Sequence, residues 1–66
     1  MKIFAQRLRS RRLEMGYTQQ EMADHLMVDR TTYSRYENSS VSPSMESLCL
    51  IADRLMCSLD WLFGRE

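Results

Sequence analysis

Apolar positions recur three and four residues apart along most of this chain, and the places where that period breaks divide it into five helical segments. The pattern predicts helices over residues 2–15, 18–26, 29–37, 44–56 and 59–63, an all-α chain in which only 38–42 reads as a true loop. In the second helix Met22, Ala23 and Leu26 share the inward face. Residues Met45, Leu48, Cys49, Ala52 and Leu55 form the expected inward stripe of the fourth, with Leu50 and Ile51 near its boundary. Trp61, Leu62 and Phe63 crowd the fifth.

The segment ends carry matching chemistry. Gly16 suits a left-handed stop after the first helix, and Thr18 with Glu21 has the spacing of a capping box. Asp29 is placed to cap the third helix, Ser42 before Pro43 to open the fourth, and Ser58 to open the fifth. The chain reads as one domain over residues 1–66, with no internal repeat or low-complexity segment.

The third helix has two unlike sides. Successive helical residues turn by about 100°, so Tyr33, Tyr36 and Glu37 fall on one side, with Thr31, Ser34 and Arg35 opposite and Arg30 at the edge. Arg grips guanine O6 and N7 bidentately, and Thr donates or accepts at a base edge or meets a thymine methyl. Alone, such a stripe describes many solvated helix faces. Here it follows a helix and a two-residue interruption at Met27 and Val28, which is the layout of a helix-turn-helix reader of a DNA major groove. Arg30, Thr31, Ser34 and Arg35 are the candidate base-reading residues.

Two charges fall on inward faces: Arg12, near Leu8 and Met15, and Glu37, beside Tyr33. Separate burial of each would be costly, so the two are expected to form a structural salt bridge between the first and third helices.

With these residues in view the chain resembles the Xre-type family, which includes the small repressors and Cro proteins of lambdoid phages. The resemblance rests on Arg12, Gly16, Thr18-Gln19-Gln20-Glu21, Ala23, Tyr33-Ser34-Arg35-Tyr36-Glu37, Pro43-Ser44, Leu48, Ala52, Leu55 and Ser58-Leu59-Asp60, nearly the whole length. It implies a compact, five-helix, lambda-repressor-like domain that binds double-stranded DNA and regulates transcription, more often as a repressor, usually as a dimer on an inverted repeat. It further implies that Thr18, Gln19, Thr32 and Asn38 position phosphates, with the Tyr33 hydroxyl adding to them while its ring packs in the core. Ala23 would be small because two helices cross closely there. The Arg12–Glu37 bridge also fits the family. Two positions depart from it: Met27 and Ser39 stand where glycine commonly supplies a positive φ, at a cost of about 1 kcal/mol or more for another residue.

The C-terminal apolar cluster leaves two arrangements open. Leu50, Trp61 and Phe63 meet a second copy in an isologous dimer, or Trp61 packs against the first helix. The runner-up function is an antitoxin or other interaction module that binds a protein partner through this surface.

Composition narrows the rest. At 66 residues only about 60% of the unfolded surface can be buried, leaving room for a reader and hardly for an active-site cleft. Net charge is zero, yet residues 1–36 hold seven Lys and Arg against four Asp and Glu, whereas 37–66 hold two against five. The expected molecule is dipolar, its basic half toward phosphate. No apolar run approaches the ~18 residues of a membrane span, and arginines follow Ile3 and Phe4 too closely for a secretory signal, so the expected setting is cytoplasmic. Cys49 and Cys57 lack a ligand set; Cys49 is expected as a small buried hydrophobe and His25 as a plain surface residue. No cofactor or metal is called for, and no nucleophile, base and orienter set suggests an enzyme.

Overall fold

A computed structural model describes residues 2–65 and builds them into five helices: α1 (Lys2–Met15), α2 (Gln19–Leu26), α3 (Arg30–Glu37), α4 (Met45–Leu55) and α5 (Leu59–Leu62). Each bound lies within a residue of the periodicity-based expectation. α3 packs on α1 and α2, α4 on α2, and α5 on α1 and α4, so α1 and α2 are clamped between the other elements.

The core is one cluster in which Phe4 and Leu8 of α1, Met22, Ala23 and Leu26 of α2, Tyr33 and Tyr36 of α3, and Leu62 of α5 meet the α4 stripe. That stripe is Leu48, Ile51, Ala52 and Leu55, spaced as one helical face. It corrects three expectations. Ile51 is fully buried rather than at a boundary, Cys49 is exposed, and Met45 is 66% exposed. Cys49 stands a residue's rotation, about 100°, from Leu48 and off the buried face. Met45 is the first residue of the helix and extends past its neighbours.

Every α2-to-α5 start is capped by a side-chain oxygen. Thr18 accepts from the Glu21 N–H while the Glu21 carboxylate accepts from the Thr18 N–H at 2.8 Å, completing the capping box. Asp29 accepts from the Thr32 N–H at 2.6 Å, and the Thr32 side chain together with that N–H holds its carboxyl below the usual carboxylate range. Ser58 accepts from the Trp61 N–H. For α4 the cap is Ser44, accepting from the Ser47 N–H, and not Ser42. Pro43 lies buried just before it. A proline fixes the extended entry of its predecessor, and the residue after it is then free to bend the chain into the helix.

The helix ends reveal a repeat that contradicts the expectation of none. Residues 23–29, Ala-Asp-His-Leu-Met-Val-Asp, recur at 52–58 as Ala-Asp-Arg-Leu-Met-Cys-Ser. Both copies fold alike. Met27 and Met56 adopt left-handed backbone, φ 63° and 55°, and each donates its N–H to the alanine and aspartate carbonyls of its own copy. Val28 and Cys57 then close back on Ala23 and Ala52 at 3.0 and 3.1 Å, the six-to-one bond of a Schellman stop. The α2–α3 connection thus has the expected tight geometry without glycine. Ser39 likewise takes φ 66°, and Gly16 takes φ 73°.

These left-handed methionines carry a cost that glycine would avoid. Met56 is 86% exposed, so its side chain contributes little burial. Met56→Gly is expected to raise the unfolding free energy by up to about 1 kcal/mol, the strain relieved exceeding the entropy added to the unfolded chain. Chemical denaturation checks it; a less stable variant would show that Met56 makes compensating contacts.

Candidate nucleic-acid interface

The stripe predicted for α3 is the outer face of that helix. Tyr33 and Tyr36 are buried, Arg30, Thr31 and Arg35 are exposed, and Ser34 is half-buried between them. With Gln19 from the start of α2 and Asn38 at the end of α3, they line a shallow open concavity of 470 Å³. Asp29 fixes where α3 begins, and the Met27 turn sets its direction relative to α2. Arg30 and Arg35 form no ion pair within 4.0 Å among the described residues, so their guanidiniums remain available to an outside acceptor.

Beneath the concavity lies the polar hub of the molecule. Arg12 Nε donates to Glu37 Oε2 at 2.6 Å and Nη2 to Oε1 at 3.4 Å, with side chains only 11% and 7% exposed. Arg12 Nη1 also donates to the Tyr17 carbonyl at 3.0 Å. The Tyr33 hydroxyl donates to Glu37 Oε2, and Gln19 Nε2 donates to Oε1 at 3.2 Å. Burial alone would push the Glu37 carboxyl up, but the bonds from Arg12, Tyr33 and Gln19 together hold it below the usual carboxylate range. Its bonded charge keeps the guanidinium of Arg12 more basic than usual, while desolvation and the adjacent carboxylate push the Tyr33 phenol well up. The inward-charge argument from sequence is met by this pair.

Tyr33 has to be removed from the phosphate-positioning set. Its side chain is fully buried and its hydroxyl is committed to Glu37, because it lies on the inward side of α3 where the carboxylate four residues on is within reach. The other four occupy the expected surface. Thr18 is exposed at the α2 cap, Gln19 is half-buried beside the hub, Thr32 is half-buried in the first turn of α3, and Asn38 is exposed. Asn38 Oδ1 accepts from the Ser40 N–H at 2.9 Å, a bond that does not use its amide nitrogen.

The C-terminal residues are not one patch. The Arg7 guanidinium lies 4.9 Å from the Trp61 ring centroid, so Trp61 packs against α1, one of the two arrangements left open by sequence. Trp61 borders a 440 Å³ groove with Arg11, Glu14, Met56, Cys57 and Ser58, whereas Phe63 borders another with Lys2, Ile3 and Phe4. Leu50 is 37% exposed on the outer side of α4.

Sequence reasoning missed Arg11. Its Nε and Nη2 donate to the Leu55 carbonyl at 3.1 and 2.9 Å, tying α1 to the C-terminal end of α4. Helix ends attract cations, but no sequence spacing told which helix end Arg11 would meet. His25, expected as a plain surface residue, is half-buried. Its Nε2 stands 2.9 Å from the Arg54 carbonyl, which can only accept, so the ring donates there and joins the two copies of the repeat. Burial pushes the Cys57 thiol up, against a smaller opposing effect of Arg11. Among the described residues no group of three or more His, Cys, Asp and Glu side chains is placed to hold a metal ion, and no helix is long and apolar enough to cross a membrane.

Comparison with known proteins follows the same residues. A family model described as helix-turn-helix matches residues 8–62. The cryptic phage CTXphi transcriptional repressor RstR of Vibrio cholerae is 43% identical over 60 residues, covering 91% of this chain and 54% of that protein. The SPbeta prophage-derived HTH-type transcriptional regulator YonR of Bacillus subtilis is 37% identical over 60 residues, covering 91% of this chain and 56% of its own. The HTH-type transcriptional activator BcrR of Enterococcus faecalis is 33% identical over 63 residues, 96% of this chain and 31% of that protein. The chain spans about half the length of the first two of these relatives. No solved structure matches it.

Proposed function

Because this chain belongs to the Xre-type helix-turn-helix family, we propose that it is the sequence-specific DNA-binding domain of a transcriptional regulator, acting as a repressor. The observation that carries the reading is the face of α3, where two guanidiniums that form no ion pair within 4.0 Å among the described residues flank Thr31 and Ser34 around a concavity, over a helix fixed from behind by the Glu37 hub. Arg30, Thr31, Ser34 and Arg35 read base edges in the major groove. Thr18, Gln19, Thr32 and Asn38 hold phosphates on either side, with the N-terminus of α2 adding its dipole. Zero net charge makes non-specific attraction weak, so these contacts carry a large share of the affinity.

A dimer completes the proposal. A second copy, related by a two-fold axis, sets two α3 helices about 34 Å apart, one turn of duplex. Repression is favoured over activation because the relative with the highest identity quoted above is a transcriptional repressor, while another is a transcriptional activator.

Titration of a mixed-sequence duplex into isotopically labelled protein tests the interface. Resonance shifts are expected at Thr18, Gln19 and along residues 30–38, with the outward side of α4 unmoved. Shifts confined to residues 50–63, or none at low salt, would contradict the reading and favour an interaction module that binds a protein partner.

A further inference from the structure

Glu37 receives every side-chain-to-side-chain bond of the hub, and one of them leaves the buried side. An ionised carboxylate can only accept, so of the two ends of the Gln19 carboxamide it binds the nitrogen and turns the oxygen away. Gln19 is the first residue of α2 and also lines the concavity beneath which the hub lies. One of its two Nε2 hydrogens is therefore spent on Glu37 and the other stays available at a fixed place. That place is beside the N–H groups of the first turn of α2, which lie outside the internal bonds of the helix.

We infer that Glu37 is a positioning residue for DNA contact: by holding Gln19 Nε2 it aims the remaining amide N–H at a phosphate, joining the Arg12 pair to the anchoring of α2. The inference rests on the DNA-binding reading above and adds to it what orients the anchor. A free glutamine at a helix start samples several rotamers, each of which must be given up on binding. Here the rotamer and the sense of the amide are fixed before DNA arrives. The same arrangement explains how a carboxylate sits so near a site for phosphate. Arg12, bonded through two nitrogens, offsets its charge, and Tyr33 takes up another acceptor position, so the net field of the hub does not repel the anion.

Glu37 is thus distinct from a residue that merely holds α3 in place, and two measurements separate these roles. In the free protein, the side-chain amide protons of Gln19 are expected to shift on acidification together with the protonation of Glu37, since that bond weakens when the acceptor loses its charge; invariant amide protons would overturn the inference. The second is a double-mutant cycle of Gln19→Ala and Glu37→Gln, read as affinity for one mixed-sequence duplex with folding verified by circular dichroism. Gln19→Ala is expected to weaken binding about tenfold in the native background, the loss of a bond to a charged group. In Glu37→Gln the one remaining acceptor oxygen is claimed by Arg12 and Tyr33 and an NH2 faces Gln19, so the amide is no longer aimed and the same change is expected to cost less than about twofold. An equal loss in both backgrounds would overturn the inference and leave Glu37 as scaffold. Should Glu37→Gln fail to fold, the acidification of the native protein decides. Absence of duplex binding by the native protein would sink both the reading and this inference, even with a responsive amide, so the two failures are told apart.

Discussion

Arg12→Ala is expected to lower the unfolding free energy by about 3–5 kcal/mol, the cost of leaving one partner of a nearly buried ion pair uncompensated. The Arg12 and Glu37 side chains are 11% and 7% exposed, so water cannot replace the lost guanidinium without opening the α1–α3 contact. Removal also strips the Tyr17 carbonyl of its donor, loosening the turn into α2. In so small a domain this approaches the whole stability. A denaturant titration checks it: near-native stability would mean that the pair contributes nothing net.

The pH dependence carries the same signature. Glu37 is held below the usual carboxylate range in the fold, so it binds fewer protons there than in the unfolded chain. Its stabilisation is fully present above the unfolded carboxyl value and is lost as pH falls through the folded one. Native protein should lose stability on acidification, whereas Arg12→Ala, whose Glu37 gains from protonation, should lose less over the same window. A steeper acid loss in the variant would contradict the assignment.

Arg35→Ala is expected to weaken binding to the preferred duplex by about 1–3 kcal/mol, roughly five- to 150-fold, and to relax preference at one base pair per half-site. Arg30→Ala should do the same at a different position. Both side chains are exposed and outside the hub, so the melting temperature should barely move. The diagnostic is the pattern across duplexes: a uniform loss on all sequences, with a shallower salt dependence, would reassign that arginine to phosphate. Together the two families of variants separate support of the reading helix from reading itself.

Much of this layout was legible because the deciding physics is local. Helical period placed five elements to within a residue, and Thr18, Glu21, Asp29 and Ser58 announce their caps by type and spacing. The reading face of α3 follows from angle alone, and Arg12 with Glu37 from the expense of two inward charges. What failed depends on neighbours. Cys49 and Ile51 lie on opposite flanks of the same stripe, and only the placement of α2 and α5 decides which is covered. Tyr33 looked able to serve both core and phosphate, but a carboxylate four residues on claims its hydroxyl. Arg11 meets a carbonyl far along the chain, at Leu55, which no local pattern encodes. The repeat at 23–29 and 52–58 was in the sequence throughout; its differing third, sixth and seventh residues obscured a shared backbone geometry.

Selection of bound DNA from a randomised duplex library, followed by sequencing, tests the central claim most directly. The account predicts enrichment of an inverted repeat with half-sites about 10 base pairs apart, centre to centre, as two α3 helices on one face of the duplex require. Recovery of unenriched sequence at low salt would contradict it, and the face of α3 would then be a charged surface and not a reader.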